Sequence, residues 1–298
     1  MADVGGGSVI VGIMCCGSYY SPWTPYTIAS IYPVCDKIVV VNAGFDLDNP
    51  DPNENEVPLE QVSEDIDHLD IQGKIIEVTD FSDMKRRFPV MTEKEAKEKG
   101  VSLWFDLRGR NMTRASEVAY KLGAKKVLRI DTDQACYRDV LKLLKPSFKE
   151  GNWIFYQYEF VGDVGGEFHF LTYPPPASPF NDSVYYYSIS EEDWYVGGLA
   201  PVIRADRVPC LDIHCAHLRY ANPVWLSEEE KFRHFYYRFL YHLWTNEFAA
   251  FTDELKTKAR KMAEEALKRE GVLTSVRPPE VTFYRDPLEY IEEVVLSG

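Results

Sequence analysis

The sequence has no apolar run approaching the roughly eighteen residues of a membrane-spanning helix, so no such helix is expected. Its start, MADVGGGSVIVGIM, lacks the basic opening and the cleavage site of a secretory signal. Cysteine is scarce: six in 298 residues, including the adjacent Cys15 and Cys16, without the spacing of a secreted disulfide scaffold. These features point to reduced thiols and a cytoplasmic location. Cations are outnumbered, 33 basic residues against 47 acidic, for a net charge of -14. A chain so short of positive charge has no general face for displacing counterions from nucleic acid, and no nucleic-acid partner is expected. A phosphate-bearing ligand would have to be met by local cations or a metal. Phosphate-cradling loops are missing too. GGGS precedes the first apolar strand instead of following it, GIMCCGS has no P-loop lysine, and CCGSYYSPW offers no basic residue to a nucleotidyl-transfer reaction.

What is present is an alternation. VIVGIMC, KIVVVN, KIIEVTD and KKVLRID read as short apolar strands. TPYTIASIY, with Thr24 as N-cap and Pro25 at the first helical position, and RASEVAYKLGA read as helices between them. Such alternation predicts parallel strands with crossover helices, and ligands of such sheets gather beyond the carboxyl ends of the strands. Asn42, Asp80 and Asp131 fall at such ends. The acidic stretch GFDLDNPDPNENEVPLEQVSEDIDHLD reads as a loop and then a solvated helix.

After Gly151, the aromatic runs NWIFYQYEFVG, GEFHFLTY and VYYYSI read as antiparallel or mixed strands covering the mouth of the sheet. From Leu226 to Glu270 a helical pattern, interrupted near Thr252 and Asp253, sets Phe232, Phe235, Phe239, Leu243, Phe248, Phe251 and Leu255 on one apolar face. Core packing is the first expectation for that face. A peripheral membrane or homo-oligomer contact is the alternative. VTFYRDP reads as an added edge strand. The expected fold class is α/β: a single Rossmann-like domain over residues 1–225 with a mostly parallel central sheet, then a C-terminal helical extension over 226–298.

VLRIDTD is the stretch that carries chemistry. In an extended segment Asp131 and Asp133 project to the same side. Two carboxylates converging without a cation repel, and one would take up a proton, whereas a hard divalent ion removes the conflict. The bland alternative makes Asp133 the cap of a helix near Tyr137 and Asp131 a solvated strand end.

The ordered segments VIVGIM, KIVVVNAGFD and RGRNMTRASEVAYKLGAKKVLRIDTD resemble the family 2 glycosyltransferases and their relatives of the GT-A fold. That resemblance covers roughly residues 8–220, with the GRN-to-DTD block its most specific part, and it implies a nucleotide-binding part at about 8–135 and an acceptor part at about 136–225. It implies a metal-dependent transfer of sugar, with inversion, from a nucleotide-diphosphate sugar to an acceptor hydroxyl on a sugar, lipid or small molecule. It implies Mn²⁺ or Mg²⁺ on Asp131 and Asp133, with His217 of LDIHCAHLRY as a further ligand. Donor contacts are implied for Asn42, Asp80, Arg110, Asn111, Asp131 and the Gly197–Gly198 loop, although Asn42 stands where many relatives have Asp. Asp193 is the candidate general base, with Glu192 and Asp212 as competitors, because the acid pair here precedes the glycine loop that it usually follows. A Lys or Arg in the helix after His217 is expected to help the leaving phosphate, without a choice of residue.

Two other functions compete. One is a non-catalytic nucleotide-sugar-binding protein of the same fold. The other is a zinc-dependent hydrolase or zinc module on Cys210, His214, Cys215 and His217, which are crowded for tetrahedral ligation.

Overall fold

The computed structural model describes residues 9–17, 21–43, 59–79, 92, 94, 95, 98, 103–164, 167–173, 184–189, 210–218, 226–247, 252–269 and 286–297. Strand β1 (Ile10–Gly17) is apolar on both faces, and the two-residue period of the strand divides its side chains between two cores. Ile10 and Met14 join one cluster, and Val11 and Ile13 join the other. The first core holds Ile28, Ile31 and Tyr32 of helix α1 (Thr24–Ile31) and its end, Val62, Ile66 and Leu69 of α2 (Leu59–Leu69), and partners from β2 (Lys37–Ala43). The second holds Met112, Ala115 and Ala119 of α3 (Leu103–Lys121) against the opposite face. Gly12 lets α1 approach closely: a Cβ there would meet Ile31 Cδ1 at 2.9 Å and Cys35 Sγ at 3.0 Å.

The remaining elements are β3 (Ile75–Val78), β4 (Lys126–Arg129), β5 (Gln134–Cys136), a 3-10 helix (Arg138–Leu144), α4 (Pro146–Lys149), β6 (Trp153–Val164), β7 (Glu167–Tyr173), β8 (Tyr185–Ser188), β9 (Cys210–His217), α5 (Glu228–Glu247), α6 (Asp253–Arg269) and α7 (Pro287–Ser297). One sheet runs in the order β3-β2-β1-β4-β8-β6-β9-β5, with β7 paired to β6. Pairing is parallel for β1 with β2 and β4, for β2 with β3, and for β6 with β9. It is antiparallel for β8 with β4 and β6, for β5 with β9, and for β7 with β6. Thus β1, β2, β3, β4, β6 and β9 share one direction while β5, β7 and β8 oppose it. The fold is α/β and Rossmann-like, with a mixed, mostly parallel central sheet.

Several expectations change. The aromatic second half does not simply lie over the mouth: β8, β6, β9 and β5 extend the same sheet. Thr24 is inside α1. The N-cap is Trp23, with no side-chain cap bond, and Pro25 sits in the first turn. Helix α3 begins before the GRN pair, so Arg110 and Asn111 lie within it instead of ahead of it. It ends at Gly123, whose φ of 83° suits a residue without Cβ, with Ala124 N donating to Ala119 O at 3.1 Å.

The helical pattern after Leu226 is two helices, α5 and α6, as the break near Thr252 indicates. A reciprocal cap starts α5: Ser227 N donates to Glu230 Oε2 at 2.8 Å, and Glu230 N donates to Ser227 Oγ at 3.4 Å. Phe235, Leu240, Leu243 and Leu255 are buried, and Phe232 and Phe239 are half-buried, so this face is used in packing. Phe248 and Phe251 lie outside the described residues. Among the described residues no helix is long and apolar enough to cross a membrane. The proposed edge strand at 281–285 also lies outside them, and α7 begins just beyond, capped by Asp286, whose Oδ1 accepts from Leu288 N at 2.9 Å.

Candidate functional site at the end of β4

Strand β4 stays in register with β1 through Ile130, whose N donates to Ile13 O at 3.1 Å. The chain then turns sharply. Gln134 N donates to Asp131 O at 3.1 Å, and the Asp131 N donates to the Gln134 side-chain Oε1 at 2.8 Å. The DTD stretch is therefore a turn between β4 and β5, not an extended segment, so the strand alternation expected to set its two carboxylates on one side does not apply. Asp131 remains partly exposed while Asp133 is 1% exposed.

Helix α1 fixes the turn from beneath. Thr24 Oγ1 and Thr27 Oγ1 both donate to Thr132 O, at 3.3 and 3.1 Å, and Cys136 N donates to Ser30 Oγ at 3.0 Å. All three hydroxyl residues are buried, so these bonds satisfy groups that would otherwise lose water without replacement. From the other side β5 pairs with β9, aligning Gln134 with His217, and Leu218 N donates to Asp133 O at 2.7 Å.

This register brings His217 to Asp133. His217 Nε2 lies 3.3 Å from Asp133 Oδ2. A third side chain reaches the same oxygen from α5: Arg238 Nη2 donates to Asp133 Oδ2 at 2.8 Å, and both side chains are 1% exposed. A lone buried carboxylate would be strongly unfavourable. A charge-assisted bond to a guanidinium in the same dry place offsets that penalty. Sequence reasoning left the basic residue of this helix unchosen, and the structure selects it. His234 and Arg238 stand four apart, and both are buried within the packed face of α5 that also holds Phe235 and Leu240.

The implied divalent ion can be tested against these residues. Asp131, Asp133 and His217 were expected to hold it together. Among the described residues no three His, Cys, Asp or Glu side chains gather as a group able to hold a metal, while Asp133 and His217 meet at 3.3 Å. The cation position on Asp133 Oδ2 is also taken. An ion about 2.1 Å from that oxygen would sit no more than about 5 Å from Arg238 Nη2, given the 2.8 Å bond. Repulsion between a divalent ion and a guanidinium at about 5 Å is on the order of 6 kcal/mol even at an effective dielectric of about 20. Among the described side chains, the donors as arranged do not fit Mn²⁺ or Mg²⁺.

The other expected residues stand on other elements or lie outside the described structure. Asn42 is near the end of β2, paired with Cys16 of β1, and Asp212 is in β9. The side chains of Asn42, Arg110 and Asp212 are not among those described. Asn111 is half-buried in α3. Asp80, Glu192, Asp193, Gly197 and Gly198 lie outside the described residues. Arg114, one turn after Arg110 in α3, is paired to Glu117 at 3.1 Å, which also receives Lys121 at 2.8 Å.

One cation went unnoticed in the sequence: Arg129, the last residue of β4, is buried with its guanidinium 5.5 Å from the Tyr185 ring centre. Of the crowded Cys and His set, Cys215 is fully buried and its thiol is pushed well above the usual range, chiefly by burial, which disfavours the thiolate a zinc ion needs. The side chains of Cys210 and His214 lie outside those described.

No protein-family profile matches this chain, and no curated protein does. Solved structures do resemble it at low identity. TarS residues 1–349 from S. aureus is 10% identical, with 89% of this chain and 81% of that one covered at a TM-score of 0.39. HddC from Yersinia pseudotuberculosis is 11% identical, with 69% of this chain and 88% of that one covered at 0.35. A 4-diphosphocytidyl-2C-methyl-D-erythritol synthase from Anaerococcus prevotii is 13% identical, with 61% and 70% covered at 0.33.

Proposed function

We propose that this chain is a transferase of the GT-A type that moves a sugar from a nucleotide-diphosphate donor to an acceptor hydroxyl. The observation that carries this reading is the place of Asp131. It is the partly exposed member of the acidic pair, at the carboxyl edge of β4 beside β1, where the strand order turns from β2 on one side of β1 to β4 on the other. In parallel sheets that reversal opens the ligand-binding crevice. The motif order that leads to DTD supports the same assignment.

In this reading the acceptor oxygen attacks the anomeric carbon and its proton passes to a carboxylate, Asp193 first, with Glu192 and Asp212 as alternatives. The bond to the nucleotide diphosphate breaks, and the configuration inverts. Asn42, Asp80, Arg110, Asn111 and the Gly197–Gly198 backbone are the proposed donor contacts. Mn²⁺ or Mg²⁺ would have neutralised the departing diphosphate, but the Asp133 site does not fit it, and no step is assigned to a metal.

A thermal-shift screen of nucleotide sugars should single out one donor, because a ligand that binds only the folded state raises apparent stability by mass action. Asp131→Asn should then lower transfer roughly a hundredfold with the fold intact by circular dichroism. Full transfer by that variant, or no stabilisation by any nucleotide sugar, removes the assignment. Binding without transfer across a broad acceptor panel leaves a nucleotide-sugar-binding protein.

A further inference from the structure

We infer that Arg238 is a built-in cation at the acidic motif, closing the Asp133–His217 pair to divalent ions, so that nucleotide diphosphate binds here without one. Three elements far apart in sequence converge to make this arrangement. Asp133 comes from the turn after β4, His217 from the last residue of β9, and Arg238 from the middle of α5. The 3.3 Å separation of His217 Nε2 and Asp133 Oδ2 is close to that of two ligands on one ion, each about 2.1 Å from the metal. What stands against an ion there is the guanidinium, already bonded to the shared oxygen at 2.8 Å and as buried as its partner.

Arg is suited to this role because its charge is permanent and its planar donors match a carboxylate. A divalent ion entering would have to displace a buried guanidinium from its bond to Asp133. The consequence is specific: the cation that neutralises Asp133 is part of the chain, carried by α5, and chelators leave it untouched.

The test reads metal binding directly. Mn²⁺ is titrated into the apo protein and followed by the loss of its free electron-paramagnetic-resonance signal. Wild type and Arg238→Lys, which keeps a cation, should leave the signal as in buffer. Arg238→Met should capture Mn²⁺ at least about tenfold more tightly, and Asp133→Asn in that background should abolish the capture. Wild-type binding of one Mn²⁺ that a folded Asp133→Asn protein lacks would overturn the inference. Failure of a folded Arg238→Met protein to capture Mn²⁺ would overturn it too.

The part concerning nucleotide rests on the proposed function. Wild type is therefore titrated calorimetrically with UDP and with GDP, in EDTA and in Mn²⁺. Equal affinity in both media supports the inference, and binding only with Mn²⁺ overturns it. If neither nucleotide binds in either medium the transferase reading falls, while the Mn²⁺ titration still decides the role of Arg238.

Discussion

The two ends of β4 each bury a charge, and they solve the problem in opposite ways. At the start of the strand Lys126 is 2% exposed, and its Nζ donates to Glu150 O, Gly151 O and Ser188 Oγ, each at 2.8 Å, and to Asn152 Oδ1 at 3.2 Å. Every one of those acceptors is neutral. Beyond the other end Asp133 meets a full opposite charge, Arg238, and an imidazole, His217. Neutral dipoles make a seal that holds whatever lies outside. An ion pair between a turn and a distant helix makes a joint, because each partner is strongly unfavourable without the other. The joint is at the carboxyl edge, where chemistry belongs in a sheet of this kind, and the seal is at the other edge.

Breaking the joint on one side should be the larger injury. Arg238→Met leaves Asp133 buried without its cation, and loss of about 3–5 kcal/mol in urea unfolding is expected. Asp133→Ala should cost a similar amount, and the double variant much less than the sum, since the two side chains act as a unit. Additive losses would show that the pair is not coupled. At the seal, Lys126→Met strands several carbonyl and hydroxyl acceptors, and about 2–4 kcal/mol is expected.

The seal should also respond to pH. Burial, the main influence, lowers the Lys126 pKa below its usual 10.5, against a smaller opposite effect of Glu150. A depressed folded pKa gives stability that is present above 10.5 and lost as pH falls through the folded value. The deficit of Lys126→Met relative to wild type should therefore grow with pH across that window. A deficit that stays flat there means the ammonium is not desolvated.

The seal and the joint were unequally legible in the sequence. Alternating strands and helices announced the parallel core, because β1 and β2 are apolar on both faces and α1 and α2 carry one apolar side each. The extension of the sheet through β8, β6, β9 and β5 was hidden, since it depends on pairings between segments many residues apart, and local pattern does not specify long-range register. Asp131 and Asp133 stood out as a motif, yet the turn that holds them did not. It comes from Gln134, whose side chain accepts from the Asp131 N–H and closes a turn that the strand pattern had read through. Arg238 looked like one of several cations on a long helix. Only the meeting of α5 with the β4–β5 turn and β9 singles it out.

The smallest test acts on the joint from a distance. Ser227 caps α5 some three turns before Arg238, and Ser227 Oγ also donates to Glu230 Oε2 at 2.6 Å. Ser227→Ala should lower stability by about 1 kcal/mol, the usual worth of an N-cap hydroxyl, and leave the Arg238–Asp133 contact in place. The bonds from Ser227, with a smaller contribution from Arg233, hold Glu230 below its usual 4.5. That carboxylate therefore adds stability which is present above 4.5 and disappears as pH falls through the lowered value. The wild-type advantage over Ser227→Ala should shrink in acid without vanishing, since the hydroxyl still accepts from the Glu230 N–H. A loss as large as that of Arg238→Met would mean that the start of α5 and the joint unfold together, and that the C-terminal helices form one cooperative unit with the acidic turn.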